Sequence, residues 1–176
     1  MKKSTKSFLI INIKTDINNK NFEDILPEKI SILITKDSKK MAGIELNIFD
    51  DELKKENEMT CNCIKKFLEE YYVSENTILI SDNTKITNRA LKNLFLKHNM
   101  DFIEFENCIE IGELIENYLI FKIGDSEKDS SKYDNLLDEM GIDFEKYEEG
   151  SLNICDYSLN ILNYILKNEY DYELFV

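Results

Sequence analysis

The chain has 176 residues, with 22 Lys and Arg against 35 Asp and Glu and a formal charge of −13. A hydrophobic content of 43% can bury a core at single-domain size, and no apolar run approaches the roughly 18 residues needed to span a membrane, so a soluble, unprocessed, cytoplasmic protein is expected. This charge, with Arg89 the sole arginine, disfavours nucleic-acid partners, whose phosphates are met mainly by Lys and Arg.

Phe8 to Lys14 (FLIINIK), Lys29 to Thr35 (KISILIT) and Gly43 to Phe49 (GIELNIF) read as three strands. The links between them are too short for crossovers, which predicts an antiparallel meander. From Asp50 the period changes: Leu53, Ile64, Phe67, Leu68 and Tyr71 predict a helix of about five turns with acidic residues at its start. A strand at Thr77 to Ser81 (TILIS) follows. Leu91, Leu94, Phe95 and His98 then fall at i, i+3, i+4 and i+7 on one helix face, before a short strand at Phe102 to Phe105. A helix is predicted over Ile109 to Lys122 and a polar loop over Gly124 to Lys132. Next come a short helix from Tyr133 to Met140 closing at Gly141 and a last amphipathic helix, Leu152 to Lys167, carrying Cys155, Leu159, Leu162 and Leu166. Three antiparallel strands followed by alternating strand and helix predict an α/β mixed sheet with helices on both faces, in one domain over 8–168 between short tails 1–7 and 169–176.

Cys61, Cys63, Cys108 and Cys155 are expected to be reduced, since a chain this long needs no disulfide staples. Cys61-Asn62-Cys63 lies in a helical pattern, where i and i+2 face different ways, so a zinc site is not expected there. Richness in Lys, Asn and Ile, with one Pro and one Arg, resembles the codon bias of an A+T-rich bacterial genome. The sequence has no Gly-rich phosphate loop, no Gly-x-Ser-x-Gly elbow and no Cys with a His partner. His98, on an apolar stripe, reads as a partly buried helix residue in preference to a catalyst. Asp50-Asp51-Glu52 and Glu148-Glu149 read as solvated turns. Tyr71, Tyr72, Tyr157 and Tyr164 read as packing residues, with base stacking the alternative.

Four segments carry a resemblance. The first strand ends Asn12-Ile13-Lys14-Thr15-Asp16-Ile17; Asp82-Asn83-Thr84-Lys85-Ile86-Thr87 leads into a helix; Ile109 to Leu114 follows; and Ser151-Leu152-Asn153-Ile154-Cys155-Asp156 opens the last helix, with Tyr164 further along. In this order they resemble the motifs of the DEDD 3′–5′ exonucleases of the ribonuclease H-like fold, in the DEDDh form of bacterial proofreading subunits: Asp-x-Glu-Thr-Thr-Gly, His-Asn-x-x-Phe-Asp, Ile-Asp-Thr-Leu and a His five residues before an Asp. The short helix with Gly141-Ile142 is similar to the family's Leu-x-x-Leu-x-x-x-x-Gly-Ile run.

The resemblance implies a ribonuclease H-like sheet and a site in which four carboxylates hold two divalent cations. Carried over residue by residue, Asn12 stands at the first Asp, Lys14 at the Glu, Thr87 at the second-motif Asp and Ser151 at the His. Asp156 alone keeps the family's residue. With an ammonium at Lys14 opposing a cation, no catalytic residue set is intact and no metal or other cofactor is expected. The expected function is therefore a non-catalytic exonuclease-like domain, a pseudoenzyme acting through an unidentified protein partner, with nucleic-acid binding weak or absent and no membrane association. Lys14 is expected to neutralise Asp156. One alternative is a diverged exonuclease in which Asp16, Asp82 and Asp156 collect Mg²⁺ or Mn²⁺. Another is an acidic nucleic-acid mimic, suggested by the charge. The tail Asp171-Tyr172-Glu173-Leu174-Phe175-Val176 is expected to pack on the domain. Its loose resemblance to the Gln-Leu-x-Leu-Phe peptides that dock on sliding clamps gives the other reading of that segment.

Overall fold

A computed structural model describes residues 7–15, 22–36, 39–48, 54–72, 77–123, 130–141 and 150–167. Asp16, the turns at 50–52 and 148–149, residue Ile142 and the tail beyond 167 lie outside them. Five strands, β1 (Ser7–Thr15), β2 (Pro27–Lys36), β3 (Lys39–Asn47), β4 (Thr77–Ser81) and β5 (Cys108–Glu110), form one sheet in the order β3-β2-β1-β4-β5. The β1–β2 and β2–β3 pairs are antiparallel, while β1–β4 and β4–β5 are parallel. The helices are α1 (Lys54–Tyr71), α2 (Thr84–Lys97), α3 (Ile111–Ile123), α4 (Ser130–Glu139) and α5 (Leu152–Lys167).

The central strands are apolar on both faces because helices cover both. Successive side chains of a strand point to opposite sides. Phe8 and Ile10 of β1 enter a cluster with Ile80 and residues of α3, α4 and α5, such as Ile115, Leu136 and Ile161. Leu9 and Ile11 enter the opposite cluster with Ile64 and Leu68 of α1 and Leu91 and Leu94 of α2. The expected α/β sheet, its antiparallel meander and its two helical layers are all present. The expected split of Cys61 and Cys63 holds as well: the first is buried and the second exposed.

Several boundaries differ. β3 runs Lys39–Asn47 instead of Gly43 to Phe49. Phe102 to Phe105 is not a strand; β5 is Cys108–Glu110, and α3 begins at Ile111 instead of Ile109. The apolar residues of this segment belong to a cluster of rings: Phe102 meets Phe95 at 5.6 Å and Phe105 at 5.8 Å, and Phe105 meets Tyr72 at 5.3 Å, each edge-on. The predicted loop ends early, since Ser130 to Lys132 already belong to α4. Gly141, with φ +68°, closes that helix as expected.

Candidate functional site

The polar centre of the molecule lies where β1 and β4 end side by side. The buried runs Phe8 to Ile11 of β1 and Thr77 to Ser81 of β4 end at Asn12 and Asp82, which the parallel register Ile10↔Ile80 brings opposite one another. Asn83 then caps α2, its side-chain oxygen accepting from the Ile86 N–H at 3.0 Å. The Thr84 N–H and hydroxyl both donate to Glu110 Oε1 of β5, at 3.0 and 3.1 Å. These contacts fix the first turn of α2 and place Thr87, 2% exposed, toward the end of β1. Asn12, Asp82 and Thr87 thus line one small pocket of about 160 Å³, walled by Ile11, Ile13 and Ile86.

Asn12 is 5% exposed. Its Nδ2 donates to Asp82 Oδ2, and its Oδ1 accepts from the Gly150 N–H at 2.6 Å. A carboxylate can only accept and a backbone N–H can only donate, so both partners agree on the orientation of the amide. Gly150 reaches this position at φ +73°, with room for no side chain. A Cβ there would stand 2.9 Å from Lys29 Cβ, 3.0 Å from Lys29 O and 3.1 Å from Lys14 Cβ.

The start of α5 is held from below. The Ser31 hydroxyl of β2 donates to Ser151 O at 2.8 Å and lies 3.1 Å from Cys155 Sγ. Cys155 of α5 faces the sheet, its thiol directed at Ile10 O at 3.8 Å and Ser31 O at 3.7 Å. Burial pushes that thiol up to about 12, against smaller opposing contributions from its hydrogen bonds to Ser31 and Asn12, so it is neutral at physiological pH.

Asp156, one residue on, turns outward and pairs with Lys40 of β3 at 2.5 Å, not with Lys14 as expected. The reason is a bulge. β2 and β3 pair Ile34↔Ala42 and then Thr35↔Lys40, which leaves Met41 as an extra residue, 59% exposed. The bulge rotates Lys40 onto the α5 face of the sheet, where an unbroken register would have placed Met41. Lys14 stays exposed beside Gly150.

Of the positions singled out in the sequence, Asn12, Asp82 and Thr87 come together. Ser151 is buried behind them, Asp156 faces β3, and Asp16 is outside the described residues. His98 ends α2, the helix whose first turn lines the pocket, roughly 20 Å away at 1.5 Å per residue, too far to serve the site. Ser31, Lys40 and Gly150 were not anticipated. A glycine just ahead of a predicted helix was a usable signal for the last, whereas nothing local marks the bulge that aims Lys40. Among the described residues, no group of three or more His, Cys, Asp or Glu side chains is placed to share a metal ion. No described helix is long and apolar enough to cross a membrane.

No family profile matches this chain, and no curated protein sequence matches it. Solved structures do. The nuclease domain of 3′hExo, a DEDDh family member, bound to rAMP, superposes over 96% of this chain and 95% of its own, with TM-score 0.63 and 10% identity. Exonuclease I superposes over 93% of this chain at TM-score 0.62 and 10% identity, and the match spans 41% of exonuclease I. Identity at this level speaks for architecture alone. With its 3-2-1-4-5 strand order, mixed pairing and near full-length superposition on 3′hExo, the chain has the ribonuclease H-like α/β fold in its DEDDh-exonuclease-like form.

Proposed function

We propose that this chain is a non-catalytic exonuclease-like domain that acts by binding a protein partner. The observation that carries the reading is the state of Asn12. The side chain in the first ligand position is a neutral amide, and both of its polar atoms are spent on Asp82 and Gly150. A pair of divalent cations needs converging carboxylates, and this donor set does not fit them. Thr87 brings a hydroxyl, Lys14 is an exposed lysine beside Gly150, and Asp156 is turned to Lys40. The displaced set draws no support either, because its two described members point to different partners, Asp82 to Asn12 and Asp156 to Lys40.

A protein partner is favoured over a nucleic acid by charge. The net charge is −13, and the one arginine, Arg89, is engaged by Glu23 at 2.9 Å. Phosphate backbones require the opposite balance.

The test is incubation of the protein with end-labelled single-stranded DNA and RNA in Mg²⁺ and in Mn²⁺, beside an active DEDDh enzyme. No shortening of either strand is expected. Cleavage at a rate comparable to the control, abolished by chelator and by Asp156→Ala, would overturn the proposal.

A further inference from the structure

We propose that the Asn12 amide is a structural clasp that fastens the ends of β1 and β4 to the start of α5, doing with two hydrogen bonds the work that a divalent metal centre could do only with carboxylates. The inference rests on the non-catalytic reading and says what the polar centre now does. Three observations converge on it. Asn12 joins segments far apart in the chain, 70 positions from Asp82 and 138 from Gly150. Both bonds lie on a side chain that is almost wholly buried, where losing a partner is costly. The backbone at Gly150 adopts a left-handed conformation and approaches Lys29 and Lys14 more closely than any side chain allows, which is what lets its N–H reach the amide.

Only a group that donates on one side and accepts on the other satisfies both partners. An aspartate at position 12 would still accept from Gly150, but it would set a second carboxylate against Asp82. An aliphatic residue would leave both partners without the bond.

Thermal melts in chelator of wild type, Asn12→Asp, Asp82→Asn and the double variant test the clasp. Asn12→Asp is expected to melt lower by roughly 5 °C or more. It should recover as the pH falls. Two facing carboxylates raise a folded-state pKa above its unfolded value, so the folded form binds more protons and gains stability below that raised pKa. Asp82→Asn keeps an acceptor for Asn12 and should melt near wild type. The double variant reverses the roles, since the new carboxylate can accept from both Gly150 and the new amide, and should melt close to Asp82→Asn. Should Asn12→Asp fail to fold, a folded double variant supports the clasp and an unfolded one overturns it. An Asn12→Asp variant as stable as wild type, or a double variant no better than Asn12→Asp, also overturns it. The two proposals fail separately: strand cleavage by wild type removes the non-catalytic reading, whereas a silent Asn12→Asp removes the clasp alone.

Discussion

From Phe8 to Ile11 every side chain of β1 is buried among apolar neighbours, whereas from Asn12 onward the same strand meets the Asp82 carboxylate, a glycine backbone and lysines. The first stretch is held by burial, which is non-directional and scales with area, so many apolar residues serve. The second is held by donors and acceptors that must match in pairs, so a change at one position has to be answered at another. This difference fits a fold that superposes on 3′hExo at 10% identity, since a frame held by burial tolerates many apolar sequences. Apolar frames drift without loss, and a site of directional contacts either keeps its chemistry or is rebuilt.

The largest expected effect lies in the frame. Ile80, fully buried in β4, sits two residues before Asp82. Ile80→Ala should cost about 2 to 5 kcal/mol through lost transfer energy and an unfilled cavity. Urea unfolding should show a lower midpoint at unchanged slope. A cost below about 1 kcal/mol would mean that the frame is loosely packed and that the contrast with the polar end is false.

Gly150 comes next, with Gly141 as its control. Both have positive φ, +73° and +68°, but a Cβ at Gly141 meets open space, whereas at Gly150 it meets the Lys29 backbone. Gly141→Ala should cost about 1 kcal/mol, the conformational share alone. Gly150→Ala should cost more, on the order of 2 to 3 kcal/mol, because the segment must also retreat and release Asn12. Equal losses in parallel denaturant titrations would show that close approach contributes nothing.

The smallest effect is electrostatic and sharpens the polar side of the comparison. Glu45 of β3 accepts from the Leu152 N–H at 2.8 Å and pairs with Lys29 at 3.0 Å, closing the start of α5. The Leu152 N–H first, and Lys29 second, hold its carboxyl below the usual range. A folded pKa lowered in this way stabilises above the unfolded value near 4.3, and that stability is lost as pH falls through the lowered folded value. Glu45 is 38% exposed, so solvent screens the pair. Glu45→Gln should cost about 0.5 kcal/mol at pH 7, and the difference should disappear on the acid side. A gap that persists below the carboxylate range would assign the effect to packing instead of charge.

The strands and helices were legible because burial imposes a period: TILIS at β4, and apolar positions spaced by three and four in α2 and α5, each match their observed elements closely. Phe102 to Phe105 was misread because its apolar residues pack into a ring cluster and not into the sheet. At the site, Asn12, Lys14, Thr87 and Ser151 were legible as residue types. The pairing of Asp156 was not. It depends on one extra residue at Met41, a register event with no signature in composition or period.

The sequence alone determined the α/β architecture, the two apolar faces and the absence of the carboxylates that the resemblance called for, since these follow from which side chains avoid water and which carry charge. Tertiary structure decided who meets whom. Asn12, Asp82 and Gly150 converge because a parallel register and a left-handed glycine bring distant segments within a few ångströms, and hydrogen bonds, unlike burial, depend on distance and direction.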